Sequence, residues 1–330
     1  MDKPFRTNVD VTPTSFGLNY LSPSLFLGSC FAQNIGDILQ QRKFPDHVNP
    51  FGVLYNPVSV EMALSRIAFG ELLREDELIF HNDLWLSFLH HTSFSNPSKE
   101  KCLVDINSNL ANTKSQWQKT EHVVVTFGTA RVYYSNQSKK PVANCHKIPA
   151  SEFDHRLLSV SEIVDTWSNL LTNLLLKKPN LKVAFTISPI RHWKDGATGN
   201  LLSKSTLVLA VNELLVKFPM NTYYFPAYEI MLDDLRDYRF YADDMLHPSN
   251  MAVRYIWEKY SYAFIADSAK ETMGEVEKVI QAINHRPLRK GTKDHEKFVD
   301  KTVQQMCQIT LKHPTIDFSR EIKEMRESLK

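Results

Sequence analysis

The sequence predicts an α/β fold built on a mainly parallel sheet, and three observations carry that expectation. Short apolar runs that fit buried strands recur at 25–27, 122–127, 182–187 and 222–226. Amphipathic helical stretches lie between and after them, at 33–41, 57–73, 106–117, 161–176, 201–217 and 249–265. Strand and helix alternate through the first 265 residues, the pattern of an α/β sandwich whose active site lies at the carboxyl ends of the strands.

Composition sets the outer limits. With 330 residues, 43% hydrophobic and 23% charged, the chain can bury one large core, or a core plus an appendage. Lys and Arg number 39 against 37 Asp and Glu, so no whole-chain field attracts nucleic acid or anionic lipid. Residues 1–20 are polar with no apolar signal core, and no run is long enough to span a bilayer, so a cytoplasmic address is expected. Cys30, Cys102, Cys145 and Cys307 are far apart and form no C-x-x-C pair, which predicts free thiols rather than a disulfide framework or a zinc site.

Taken in order, residues 1–20 read as an extended arm, because Pro4, Asn8 and Pro13 interrupt any periodicity. Leu25-Phe26-Leu27-Gly28-Ser29-Cys30-Phe31-Ala32 then reads as strand, tight turn and helix start, with Ile35 and Ile38 turned inward and Gly36 allowing close packing. A serine at such a corner either caps the helix or stands where an acyl-transfer nucleophile belongs, beside free helix N–H groups. Two N-P dipeptides at 49–50 and 56–57 flank Phe51-Gly52, a sharp loop after a short strand near 43–48. Gly52 is a turn glycine or a point of close backbone approach.

The helix at 57–73 carries Val60, Ala63, Leu64, Ile67 and Ala68 as its core stripe. From 78 to 107 the pattern becomes irregular and aromatic, including His90-His91, which suits a lid or binding insert. Adjacent histidines point apart on extended chain and no third ligand has recognisable spacing, so no metal and no cofactor is expected. The strand at 122–127 ends in Gly128-Thr129-Ala130, and 131–134 continues toward a small hairpin followed by a polar loop at 141–147. Ser188-Pro189 ends the strand at 182–187, and a charged loop with Arg191 and His192 follows at the same edge. Near 241–248 lies Asp244-Met245-Leu246-His247, in which a carboxylate three positions before an imidazole can orient it. Beyond Ala266 the chain is charged and helical, broken at Pro287, Gly291 and Pro314. The expected organisation is a domain at 1–265 with the insert at 78–107, and a helical extension at 266–330.

Gly28-Ser29-Cys30-Phe31-Ala32 spells the signature of the GSCFA family, whose members resemble the SGNH (GDSL-like) hydrolases. The resemblance runs to about residue 265 through N-P-F-G-x-L-Y-N-P at 49–57, F-G-T-A at 127–130, N-C-H-K at 144–147, S-P-I-R-H-W-K-D-G at 188–196 and D-D-M-L-H-P-S at 243–249. It implies a flavodoxin-like three-layer α/β/α sandwich with a five-stranded sheet. It also implies that Ser29 is the nucleophile, that Asp244 and His247 form its dyad, and that Gly52 matches the second-block glycine. The superfamily's third block, G-x-N-D, places an oxyanion-donating asparagine where this chain has Ala130. Losing such a donor costs about 10² to 10³ in turnover, or ~3 kcal/mol, unless another group replaces it. Asn144, His146, Arg191 and Thr129 are candidates.

The function expected is therefore a serine esterase or acyltransferase acting on a small ester or acylated sugar. His247 would take the Ser29 proton, Asp244 would hold the imidazole, and the Ser29 and Gly52 N–H groups would receive the oxyanion. The edge glycine Gly128 and the insert's His91 would help shape the substrate pocket. Cys30, at the helix start, is an alternative nucleophile. From a different class, a catalytically degenerate binding protein could keep the same fold and hold a ligand with Arg191.

Overall fold

A computed structural model describes residues 7–285 and 292–329. Strand β1 (Ser24–Gly28) is buried at every position and feeds helix α1 (Cys30–Gln41). β2 (Asp46–Val48) and α2 (Pro57–Ala68) follow. The hairpin β3 (Ile79–His81) and β4 (Leu84–Leu86) precedes α3 (Lys99–Trp117) and β5 (His122–Phe127). Next comes a small antiparallel sheet of β6 (Arg131–Ser135), β7 (Pro141–Val142) and β8 (Phe153–Leu157). The chain then returns to the main sheet through α4 (Val160–Lys177), β9 (Lys182–Ile187), α5 (Gly196–Lys217) and β10 (Thr222–Phe225). A short α6 (Ala227–Glu229) runs into a π-helical turn (Ile230–Asp234), followed by α7 (Asn250–Phe264), α8 (Asp267–Asn284), α9 (Lys293–Lys312) and α10 (Ser319–Glu327).

The main sheet has the order β10-β9-β5-β1-β2, and every pair in it is parallel. Counted along the chain, its strands stand 2-1-3-4-5, the doubly wound arrangement whose switch point falls between β1 and β5. Strand alternation assigns the faces. Leu25, Leu27, Val123, Val125, Val183 and Phe185 pack under α2, α4 and α5. Phe26, Val124, Ala184 and Phe225 turn the other way, toward α1 and α7. Helices α8 to α10 join that second face: Val276, Val279, Val303, Met306 and Met325 belong to the same apolar cluster as Phe26 and Phe31. The result is three layers with a helical C-terminal part against one of them.

Several elements depart from expectation. The N-terminal arm is packed rather than free: Phe16, Leu18 and Tyr20 are buried, and Leu18 bridges to Ile265. Its alternate residues enter a core made by remote helices, a signal that local periodicity does not carry. Pro4, Pro287 and Gly291 lie outside the described residues. Helix α3 begins at Lys99 with Ser98 as cap, so the irregular insert ends earlier than 107. Leu73, Leu78, Cys102 and Ile106 give the insert a small core of its own. Helix α2 stops at Ala68, ahead of Gly70, and α5 starts at Gly196, five residues before its apolar stripe.

Candidate active site

The turn from β1 to α1 depends on Gly28. Its φ is +133°, and a Cβ there would lie 2.1 Å from the Thr126 carbonyl oxygen of the neighbouring strand. Its N–H donates to Asn49 Oδ1 at 2.9 Å, while its carbonyl accepts from Leu54 N–H at 2.9 Å. Asn49 also donates through Nδ2 to Gln33 Oε1 at 3.1 Å, so the N-P-F-G loop braces the strand end and α1 together. Ser29 follows as the helix N-cap, its Oγ accepting from Phe31 N–H at 3.4 Å. It is 2% exposed.

Across the switch point, Gly128 and Thr129 at the end of β5 both donate their N–H groups to Tyr55 O, at 2.7 and 3.0 Å. Thr129 Oγ1 hydrogen-bonds Ser203 Oγ at 2.9 Å, and Ser203 Oγ accepts from Ala130 N–H at 2.7 Å, which ties this loop to α5. After β9, the buried Lys204 donates to the Ser188 carbonyl at 2.7 Å and holds the base of the next loop. Burial, with Arg191 nearby, pulls the Lys204 pKa down to about 7. His192, in that loop, donates its N–H to Asn200 Oδ1 at 3.0 Å, and its Nε2 lies 2.9 Å from where a Gly128 Cβ would stand. Burial, assisted by Lys204, lowers the His192 pKa to about 4 and leaves the ring neutral.

Before α7 the backbone folds back on itself, with Ala242 N–H donating to His247 O at 2.7 Å. Asp244 Oδ1 accepts from the N–H groups of Leu246 and His247, both at 2.9 Å, and Oδ2 meets His247 Nδ1 at 2.5 Å. Those backbone donors, and then the imidazole, hold the Asp244 pKa down to about 2. With Nδ1 engaged, Nε2 is the ring nitrogen left for chemistry.

Ser29, Cys30, Thr129, Arg191, His192 and His247 line one cavity of about 410 Å³ at the carboxyl edge of the sheet. Cys30 Sγ stands 3.9 Å from the hydroxyl of Tyr55. Gly128 contributes the close approach of His192 rather than a side chain. A larger cavity of about 690 Å³, lined by Glu61, Arg66, Glu77 and Phe88 among others, lies under the insert. It is not the stronger candidate, because Ser29, His192 and His247 all open elsewhere.

Other expected site residues gather at the insert instead. The Gly52 N–H donates to Asn49 O at 2.7 Å, so it is not free for an oxyanion, and its missing Cβ makes room for His91, whose Cβ would be 2.2 Å away. His91 Nδ1 is engaged with Ser93 Oγ at 3.1 Å. Asn144 donates to Thr92 Oγ1 at 3.1 Å, and the buried His146 bonds the Ser87 carbonyl at 2.9 Å. The Ser29 N–H likewise donates to Thr126 O at 3.1 Å. Both backbone donors expected for the oxyanion are therefore committed to protein carbonyls.

The sequence puts the loop of His192 at this edge without giving its ring a role, and it does not single out Tyr55, Asn49 or Lys204. His192 stood beside the chosen Arg191 in one motif, and Lys204 interrupts the apolar face of α5, a usable sign of a buried charge. Among the described residues no group of three or more His, Cys, Asp or Glu is arranged to hold a metal ion, and no helix is long and apolar enough to cross a membrane.

A family model described as the GSCFA family matches residues 23–260, and one described as the GSCFA domain protein C-terminal domain matches residues 276–330. No curated protein and no solved structure matches the chain.

Proposed function

The chain belongs to the GSCFA family, and from that membership and the Ser29 cavity we propose a serine esterase or acyltransferase of SGNH type, acting on a small ester or acylated sugar. One observation carries the reading. Ser29, on a turn that only glycine can lead into, shares a cavity with His247, whose Nδ1 is held by Asp244 at 2.5 Å.

In this scheme His247 Nε2 takes the Ser29 hydroxyl proton as Oγ attacks the acyl carbonyl carbon, and the carbonyl π pair moves onto oxygen. Collapse of that oxyanion expels the alcohol, which leaves with the proton from His247. Water, or an acceptor alcohol, then attacks the acyl-enzyme with His247 again as base, and Ser29 recovers its proton. Asp244 stays ionised throughout and fixes the productive tautomer.

Because the Ser29 and Gly52 N–H groups are engaged, other donors take the oxyanion. Cys30 N–H, first of the orphan donors of α1, is one. The second is His192, a neutral imidazole with one N–H to give; a neutral donor polarises a carbonyl without surrendering its proton.

A second reading, a non-catalytic binding protein, is favoured by the commitment of Ser29 N–H to Thr126 O and Gly52 N–H to Asn49 O. A fluorophosphonate probe separates the two. The enzyme labels covalently, Ser29→Ala does not, and p-nitrophenyl acetate is hydrolysed. Folded protein that neither labels nor turns over this ester would leave the binding reading standing.

A further inference from the structure

The charges around the Ser29 cavity do not balance. Asp195 is the single carboxylate among the described residues that line it, and it is taken by Arg131, with Nε 3.5 Å from Oδ1. Two further cations line the same cavity from one loop. Lys194 Nζ donates only to a neutral partner, the Tyr133 hydroxyl, at 3.2 Å. Arg191 makes no ion pair with a described carboxylate, and its Nε is shut off from solvent with no hydrogen-bond partner.

The surroundings of Arg191 sharpen the imbalance. Lys204, a like charge, is close enough for Arg191 to depress its titration, and the Glu229 carboxylate, which accepts from the Tyr224 hydroxyl at 2.8 and 2.9 Å, is the opposing charge that Lys204 feels. The Asp244 carboxylate is occupied by His247 and two backbone N–H groups. His155 and His192 also line the cavity, and burial keeps both below the ordinary histidine range, so neither supplies nor demands charge at neutral pH. A partly desolvated guanidinium without an ion-pair partner is costly, and a fork of N–H donors lining a cavity is suited to receive an oxyanion group.

We propose that the molecule taken up by the Ser29 cavity carries a carboxylate or a phosphate, seated on Arg191 with Lys194 beside it. This rests on the reading of that cavity as the substrate site and narrows the substrate from any small ester to an anionic one. The anion neutralises the excess charge of the 191–194 loop and fixes the ester relative to Ser29. A neutral ester such as p-nitrophenyl acetate lacks that anchor and should be hydrolysed, but more slowly than an anionic ester of the same acyl group.

The test is anion binding by the full chain, which does not require turnover. Thermal midpoints are measured against sodium phosphate and sodium succinate, with ionic strength held constant by sodium chloride. A saturable rise with at least one anion is expected, and the anion that produces it says which source is meant. Arg191→Gln should weaken that binding at least about tenfold, the value of a lost charge-assisted hydrogen bond. Lys194→Ser, at an exposed position that does not threaten folding, should weaken it about threefold. Arg254→Gln, an exposed arginine on α7, should leave it unchanged. No saturable rise with either anion, or Arg191→Gln and Lys194→Ser both responding like the parent protein, overturns the proposal. An inactive Ser29→Ala that still binds leaves this inference intact, and an active enzyme blind to both anions removes it while sparing the serine chemistry.

Discussion

Replacing Gly28 by alanine tests whether the corner that presents Ser29 is built as described. The residue has φ +133°, a region in which non-glycine residues cost of order 1–3 kcal/mol. The new Cβ would also meet Thr126 O at 2.1 Å and the Thr126 carbonyl carbon at 2.8 Å, both rigid backbone of a central strand. Relieving that overlap means parting β1 from β5 where Gly28 pairs with Thr126, which adds a further ~1–3 kcal/mol of overpacking. The sum is about 2–6 kcal/mol, or a midpoint lowered by roughly 3–9 °C in a thermal melt of a chain this size. Thr126 O is also the acceptor for Ser29 N–H, so displacement moves the serine and labelling by the fluorophosphonate should fall with stability. Gly274 supplies the control: it lies inside α8 with nothing within 4 Å of its Cβ position, and Gly274→Ala should stabilise by about 0.5–1 kcal/mol. A Gly28→Ala protein that melts within 1 °C of the parent would refute the strained-corner account.

The other consequences are simpler. Asp244→Asn keeps the loop but loses the carboxylate that sets the His247 tautomer, so kcat should fall roughly 10² to 10⁴-fold with KM little changed; undiminished kcat would remove the dyad from the mechanism. Gly128→Ala places a methyl 2.9 Å from His192 Nε2 and 3.2 Å from the Tyr55 ring. It should cut turnover at least about tenfold while costing under about 2 kcal/mol of stability, and unchanged kinetics would discard His192 as an oxyanion donor. Asp46 is buried with Oδ2 unpartnered, and burial raises its pKa to about 8. The folded chain therefore holds a proton that the unfolded chain releases near pH 4, and this residue's contribution to stability declines as pH rises from about 4 to about 8. Asp46→Asn should gain about 1–3 kcal/mol relative to the parent at pH 8 over its value at pH 5; equal differences at the two pH values would show that the site does not titrate this way.

The sequence by itself determined the layers and the local motifs. Alternation of Leu25 and Leu27 with Phe26 assigns two faces to β1, and the stripes of α2 and α4 say which side of each helix is buried. The corner at Gly28-Ser29 and the Asp244–His247 pair were legible for the same reason, since their geometry is decided within a few residues. The packed N-terminal arm and the joining of α8 to α10 to the core were not, because Phe16, Leu18 and Met306 find their partners far along the chain. Tertiary structure alone decided which groups meet at the edge. It joined the Arg191-His192 loop, already expected at that edge, to Ser29 and His247 in one cavity and left Gly52, His91, Asn144 and His146 at the insert. It also committed the Ser29 and Gly52 N–H groups to the carbonyls of Thr126 and Asn49. Residue type states that a backbone donor exists; whether it remains free depends on which carbonyl the fold carries to it.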